Sequence, residues 1–137
     1  MEIVKGRKIV RGKASGRLIL YPMSFSFLGD VDMNTSQIIS KEYIDQNLFL
    51  KDSIFLFTET KGSSGGCVVL MTLARKKIAP AGIITIKAPD YNLTEGAILA
   101  RIPFISEIPV EFLKVAKMGD WIEMDTETGR IILRRSE

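Results

Sequence analysis

The residues of this sequence best suited to chemistry lie at positions 61–66, KGSSGG, between two apolar stretches. The stretch before them, residues 53–58, is apolar nearly throughout and predicts a buried strand. The stretch after them, residues 67–77, predicts a helix with a basic end, where cations suit the helix dipole. A glycine-rich turn in that place offers backbone N–H groups and hydroxyls at the positive end of a helix. Such an arrangement favours a phosphate or a carboxylate.

The serines of this segment leave two interpretations open. In the first, the turn binds an anion, because its glycines permit close backbone approach and Lys61 adds a positive charge. In the second, a serine only caps the helix that follows the turn, and no ligand is involved. Neither of the familiar phosphate-binding patterns, GxxxxGKS/T or GxGxxG, occurs here, so the spacing alone leaves both interpretations standing.

The rest of the composition excludes much catalysis. The 137 residues include no histidine and one cysteine, Cys67. Without histidine, the chain contains no Ser-His-Asp triad, no HExxH metal site and no imidazole base. One cysteine forms no internal disulfide, and by itself it holds neither a structural zinc nor an iron–sulfur cluster. Its position at the start of an apolar stretch predicts a packed thiol.

The charge and hydropathy of the chain are those of an ordinary soluble globular protein, with 46% hydrophobic residues and a net charge of +3. Basic residues cluster within positions 5–17, where they are typical of a solvated strand face or of a surface that steers an anionic substrate. Aromatic residues are not interleaved with them, so we expect no nucleic-acid binding. The N-terminus lacks the pattern of a signal peptide and no apolar run is long enough to span a membrane, so we expect a cytoplasmic protein.

Strand and helix patterns alternate along the chain, which predicts a mixed β/α fold in a single domain. The run at 17–21 predicts a strand that stops at Pro22, and residues 24–38 predict a long ordered loop. Thr94 is expected to cap a short helix over residues 95–101. The other predicted elements are a strand at 82–86, a helix at 111–117 that Gly119 ends, and a closing hairpin of residues 121–125 and 130–134.

Three strings, taken together, resemble the small subunit of the aconitase X family: SFLGDVD at 26–32, KGSSGG at 61–66 and IAPAGII at 78–84. The resemblance extends over nearly the whole chain, from GKASGRLIL at 12–20 to the closing hairpin. It implies the swivelling β/β/α fold of the mobile domain of aconitases. In this chain that fold would occupy residues 1–137 as a single domain.

The resemblance also implies a role for the central serines. In the family, the first serine of the Gly-Ser-Ser loop acts as an alkoxide-like base that removes a proton from carbon, and by position that residue is Ser63. A serine hydroxyl is a weak base, so its alkoxide needs backbone donors, a helix N-terminus and nearby cations. We expect Gly62, Ser64 and Gly65 to supply donors or contact the substrate, and Lys61 to add charge.

Two positions depart from what the resemblance leads one to expect. In ordinary aconitases the Ser-Ser pair precedes an arginine that binds a substrate carboxylate, whereas here Gly65 follows the pair. This difference argues against citrate or isocitrate as the substrate. In the first string, Asp30 stands where the family pattern leads to a second glycine, and we expect the loop around it to lie at the site mouth or at a partner interface.

The resemblance finally implies a partner. Dehydratases of this family use an iron–sulfur cluster to polarise the leaving hydroxyl, and one cysteine cannot hold it, so the cluster is expected on a separate large subunit. We therefore expect the small subunit of a heteromeric hydro-lyase, inactive alone, that acts on a small phosphorylated substrate. Within the family, the free-standing chain and the basic balance favour dehydration of (R)-mevalonate 5-phosphate to trans-anhydromevalonate 5-phosphate in the archaeal mevalonate pathway. Two alternatives stay open: the small subunit of a cis-3-hydroxy-L-proline dehydratase, and a non-catalytic swivel module that binds phosphate or a partner.

Overall fold

The computed structural model describes residues 1–61 and 65–135, and within them strands and short helices alternate as the sequence predicts. In chain order the elements are β1 (Glu2–Lys5), β2 (Arg7–Val10), β3 (Lys13–Phe25), α1 (Phe27–Asp30), a 3-10 turn (Ile44–Gln46), β4 (Ile54–Thr60), α2 (Gly66–Arg75), β5 (Gly82–Thr85), α3 (Tyr91–Ala100), β6 (Phe104–Ser106), α4 (Phe112–Val115), β7 (Trp121–Asp125) and β8 (Arg130–Arg134). No helix in the described ranges is both long and apolar enough to cross a membrane.

The strands form one continuous sheet in the order β1-β8-β7-β3-β4-β5-β6-β2. The neighbours from β3 to β6 are parallel, and the remaining pairs are antiparallel. We call β4, β5, β6 and residues 18–25 of β3 the parallel layer. We call β1, β7, β8 and residues 13–17 of β3 the hairpin layer. The predicted closing hairpin is confirmed, with Trp121 paired to Arg134 and Asp125 paired to Arg130.

The long strand β3 belongs to both layers. Its first five residues pair with β7, and its residues from Leu18 onward pair with β4. The prediction that the strand stops at Pro22 is wrong, because β3 continues to Phe25. Proline is tolerated here because β7 no longer pairs with this half of β3, and the β3–β4 register shifts between Tyr21 and Ser24.

Each face of the parallel layer has its own core. On one face, α2 and α3 pack over buried side chains that include Phe55, Phe57, Leu70 and Leu93. On the other face, the hairpin layer and α4 enclose a second core. The near-continuous apolar sequence of β4 follows from this arrangement, since residues 54–57 are buried from both sides.

The connection between β3 and β4 is mostly the ordered loop that the sequence predicts, with one correction. It opens with the short helix α1, in which the Ser26 hydroxyl accepts a hydrogen bond from the Gly29 N–H. Phe25 and Phe27 are fully buried, whereas Leu28 is 63% exposed. The two aromatic side chains of this segment therefore belong to the core, and Leu28 lies at the surface.

The helix predicted to start after Thr94 begins earlier. The N-cap of α3 is Asp90, whose carboxylate accepts a hydrogen bond of 2.8 Å from the Leu93 N–H. Thr94 lies inside the first turns of the helix, so the prediction of its capping role is wrong. Aspartate is as strong an N-cap as threonine or stronger, and here it follows Pro89 directly.

Candidate functional site

The parallel strands β3, β4 and β5 end at the same side of the sheet, next to residues 61–66. We call this region the carboxyl edge: residues 25–30, 58–61, 65–67 and 85–92. In open α/β sheets, ligands bind outside the carboxyl ends of parallel strands. The topology therefore places Lys61, Gly65 and Gly66, the described residues of the motif, where a ligand site is expected.

The residue that enters the motif, Lys61, is fixed by two contacts. Its backbone N–H donates to the carbonyl oxygen of Phe25 over 3.2 Å, which ties the end of β4 to the end of β3. Its ammonium nitrogen lies 3.2 Å from the Asp30 carboxylate, which is nearly buried. The hydrogen bond with Asp30 raises the pKa of Lys61 above its ordinary value. Lys61 therefore stays cationic at neutral pH and cannot itself serve as a base.

The residue that leaves the motif, Gly65, is the N-cap of α2. Its φ angle of +62° lies in the left-handed region, and no side chain caps the helix from that position. The N-cap position of α2 is thus a glycine, and the serines of the capping interpretation lie outside the described residues. A side chain from a different helix contributes a cap, since the Asn92 amide oxygen accepts the Cys67 N–H over 2.8 Å.

The same edge contains a second tie between distant elements. The Thr60 hydroxyl donates to the Asp90 carboxylate over 2.7 Å, while the other oxygen of Asp90 caps α3. Helix α3 also approaches α2 closely, because a methyl group added at Gly96 would lie 2.7 Å from the Cys67 Cα. The N-terminus of α2 is thus held against α3 by Asn92 and by the small size of Gly96.

The structure brings together the described part of the predicted site. Lys61 and Gly65 lie at the carboxyl edge and bracket the motif from both sides. Gly62, Ser63 and Ser64 lie outside the described residues, so the predicted role of Ser63 stays a prediction. Sequence reasoning noted Asp30 only as a departure from the family pattern.

Sequence reasoning missed Thr60, Asp90 and Asn92 as parts of this edge. Asp90 carried a usable signal, because an aspartate before an apolar helical pattern predicts an N-cap. Thr60 and Asn92 carried none, because each contacts a segment 25 or more positions away.

Beneath the ion pair lies a platform of buried aromatic rings. The Phe25 ring makes edge contacts with Tyr21, Phe27 and Phe55 at centroid distances of 4.8–5.1 Å. Burial raises the pKa of the Tyr21 phenol, which therefore stays neutral. Its hydroxyl and that of Ser40 are buried and make no hydrogen bond to a described residue. This platform supports the edge but is too deep to touch a ligand.

The described residues do not fit a metal centre or an iron–sulfur cluster. In residues 1–61 and 65–135, no three side chains of the metal-ligating types His, Cys, Asp and Glu gather into a group that could hold a metal ion. The cysteine is half-buried on α2, where its sulfur lies 3.9 Å from that of Met71. A cluster needs several thiolates, so the single cysteine of this chain cannot hold one.

Grooves elsewhere on the molecule do not coincide with the motif. One of about 540 Å³ lies on the hairpin layer, between Lys13, Glu123 and Arg130. Another of about 530 Å³ lies at the amino end of β4, beside Arg17 and Trp121. Neither contains a residue of the carboxyl edge. A third groove of about 520 Å³ does reach the edge, because it is lined by Pro89, Asp90 and Tyr91 together with Arg7 and Lys8 of β2.

The chain matches the family model described as aconitase X swivel domain over residues 3–133. This range includes all three strings that carry the resemblance, and the match confirms it. The chain is 35% identical over 128 residues to the phosphomevalonate dehydratase small subunit of Thermococcus sibiricus, covering 93% of this chain and 95% of that one. It is 37% identical to the protein of the same name from Pyrococcus furiosus, covering 93% and 92% of the two chains.

A solved structure gives the same result for the fold. The crystal structure of Thermococcus kodakaraensis aconitase X in its holo-form superposes with a TM-score of 0.88 at 30% identity, over 98% of this chain and 100% of that one. The expected mixed β/α fold of the swivelling β/β/α type is confirmed.

Proposed function

Because the chain belongs to the aconitase X swivel domain family, we propose that it is the small subunit of a phosphomevalonate dehydratase. Such an enzyme is a hydro-lyase that converts (R)-mevalonate 5-phosphate to trans-anhydromevalonate 5-phosphate and water. The observation that carries the proposal is the identity of 35–37% to relatives of that name over nearly the full length of each chain. The net charge of +3 also suits a phosphorylated substrate.

We propose Ser63 as the base of this reaction. In its alkoxide form, its oxygen would take the proton from carbon, the electrons of the C–H bond would form the double bond, and the hydroxyl would leave as hydroxide with its bonding electrons. Transfer of the proton from the serine to the hydroxide would then give water and restore the alkoxide. The surroundings favour this role, because the motif ends at the N-terminus of a ten-residue helix, which stabilises negative charge. Lys61, where the motif begins, has its charge paired with Asp30.

The surface beside the motif supports a partner. Leu28 and Val68 are 63% and 67% exposed, and they flank the motif on α1 and α2. A methyl group added at Gly65 would lie 3.4 Å from the Leu28 Cβ, so Leu28 borders the motif directly. Apolar side chains around a polar site are typical of a surface that a second protein covers. We propose that the large subunit covers it, contributes the iron–sulfur cluster and is needed for activity.

The fold suits one further part of the proposal. A strand shared by both layers would join them into one unit, so that residues 1–137 could swivel together against the large subunit.

The cytoplasmic location of the protein stays a prediction.

The test is coexpression of this chain with the large subunit encoded in the same genome, followed by anaerobic purification and assay with mevalonate 5-phosphate. We expect a coloured complex that is active, while the small chain alone is inactive. Ser63→Ala should lower kcat by about 10²–10⁴-fold with assembly unchanged. The matched control is Ser15→Ala, which removes an exposed hydroxyl from the hairpin layer and should have no effect.

Other outcomes would contradict the proposal in distinct ways. An active complex that dehydrates cis-3-hydroxy-L-proline instead would replace the substrate. Full activity of Ser63→Ala would remove the serine from the mechanism, and absence of any complex would favour a non-catalytic binding module.

A further inference from the structure

We propose that Asp30 is a positioning residue for this reaction, which acts through Lys61 to fix the point where the Gly62-Ser63-Ser64 loop begins. The inference rests on the proposed function. It goes further by giving a role to a residue at which this chain departs from the family pattern. Glycine at position 30 has no carboxylate, so the family resemblance does not imply this contact.

The geometry of Asp30 is that of a tie between two strand ends. One carboxylate oxygen accepts the Ser26 N–H over 2.8 Å, directly after β3, and the same oxygen lies 3.2 Å from the Lys61 nitrogen, directly after β4. A backbone hydrogen bond from Lys61 to Phe25 runs parallel to this contact. Lys61 is therefore held both by its backbone and by its side chain, one residue before the loop.

Burial indicates that Asp30 acts indirectly. Its exposure is 8%, whereas the Lys61 side chain is about half exposed. A carboxylate so enclosed does not contact a substrate that arrives from solvent or from a partner. Its effect must pass through Lys61 or through the backbone of Ser26.

The pairing also changes what Lys61 can do. A carboxylate at 3.2 Å offsets much of the lysine charge, so Lys61 is better suited to anchoring the loop than to binding the substrate phosphate. This distinction is measurable. Loss of an anchor lowers kcat, whereas release of a cation that binds phosphate would lower KM.

The test compares Asp30→Asn with the wild type in the complex with the large subunit. The amide oxygen can still accept the Ser26 N–H, so this variant spares the backbone contact and replaces the ion pair with, at most, an uncharged hydrogen bond to Lys61. We expect kcat to fall about 10- to 100-fold, since small displacements of a reacting group cost that much, with KM for mevalonate 5-phosphate unchanged. The matched control is Glu123→Gln, which breaks the 2.8 Å ion pair with Arg134 in the hairpin layer and should leave kcat unchanged.

A double-mutant cycle identifies the route of the effect. If Asp30 acts through Lys61, the double variant Asp30→Asn, Lys61→Met should be no slower than Lys61→Met alone. Lys61→Arg keeps a cation for Asp30 to hold and should retain more activity than Lys61→Met. Additive losses, a lower KM in Asp30→Asn or an unchanged kcat would each overturn the inference.

Failure of the proposed function gives a different result. In that case the wild-type complex itself does not dehydrate mevalonate 5-phosphate, and the positioning role of Asp30 in that reaction is excluded too. The ion pair is then tested in the full chain by the NMR shift of the Lys61 Cε as the pH is raised. The hydrogen bond with Asp30 should make the pKa of Lys61 higher in the wild type than in Asp30→Asn, and an identical titration in both would overturn the tie as well.

Discussion

The hairpin layer and the carboxyl edge are held together in different ways. In the hairpin layer, β7 and β8 are joined by a short turn, and the Glu127 N–H and the Thr128 hydroxyl bond back to Asp125. At the carboxyl edge, the ties of Asp30 to Lys61, of Thr60 to Asp90 and of Asn92 to Cys67 each join residues at least 25 positions apart.

This difference separates two tasks of the same sheet. The hairpin layer closes a core through backbone ladders, which join β1 to β8 and β3 to β7 as well as β7 to β8, and its exposed ion pairs contribute little to stability. The carboxyl edge uses buried or capping polar groups to fix the two ends of a short loop. Changes in the hairpin layer should therefore lower stability, and changes at the edge should lower activity out of proportion to stability.

The largest effect is expected in the core of the hairpin layer. Leu133 on β8 is 1% exposed, so Leu133→Ala should lower the free energy of unfolding by about 2–5 kcal/mol through lost burial and a cavity. Denaturant unfolding of the chain measures this loss. The kcat of the assembled complex, assayed at a temperature where the variant is folded, should match the wild type. A large fall in kcat would break the separation between the two regions.

Two glycines, Gly65 at the edge and Gly119 just before β7 of the hairpin layer, sharpen the comparison. Gly65 and Gly119 have φ angles of +62° and +88°, so an alanine at either should cost about 1–2 kcal/mol of stability through backbone strain. A methyl group at Gly119 meets nothing within 4 Å, whereas at Gly65 it contacts Leu28 beside the loop. We expect both variants to be destabilised and only Gly65→Ala to lose kcat. Equal kcat values for the two variants would contradict a special role for the edge.

Removal of the cap that Asn92 supplies should lower the free energy of unfolding by a smaller amount. Asn92→Ala removes the acceptor for the Cys67 N–H and should cost about 1 kcal/mol in thermal or denaturant unfolding. Asn92→Asp keeps an acceptor at the positive end of α2 and should retain the stability of the wild type. A fall in kcat for the alanine variant alone would link the cap to the loop. Identical stability of all three proteins would show that the contact is dispensable.

The smallest effect is expected from Asp120, a carboxylate beside the hairpin layer that pairs with Arg135. Hydrogen bonding to Arg135 lowers the pKa of Asp120 below its ordinary value. A carboxyl group with a lowered folded pKa stabilises the protein above its unfolded pKa, and this stabilisation is lost as the pH falls through the folded value. Asp120→Asn should therefore be less stable than the wild type at pH 7, and the melting temperatures should converge below about pH 4. A gap that stays constant from pH 7 to pH 3 would exclude this linkage.

Much of the fold could be predicted from the sequence, because its signals are local. The apolar run at 53–58, the turn at 126–129 and the glycine-rich start of α2 each predict an element that the structure contains. The predictions that β3 stops at Pro22 and that Thr94 caps a helix are wrong, because the rules behind them assume an isolated strand or helix. A change of strand partner makes Pro22 tolerable, and Asp90 is the stronger cap four residues earlier.

The candidate site could be predicted only in part. The motif and its flanking residues Lys61 and Gly65 stand out in the sequence, and the resemblance adds a role for Ser63. The partners Asp30 and Asn92 depend on which segments the topology brings to one edge. Asp30 could be noticed as an exception to the family pattern, but its contact with Lys61 could not be predicted.

The passage of β3 through both layers has a consequence for local opening. Its residues 13–17 pair with β7 and its residues from Leu18 onward pair with β4, so one continuous backbone couples the two layers. In hydrogen exchange, the amides of the two layers should then be released together in one cooperative opening, and the outer strand β2 should open earlier. Slow exchange along β3 would show that the strand leading to the loop is among the last parts of the molecule to unfold.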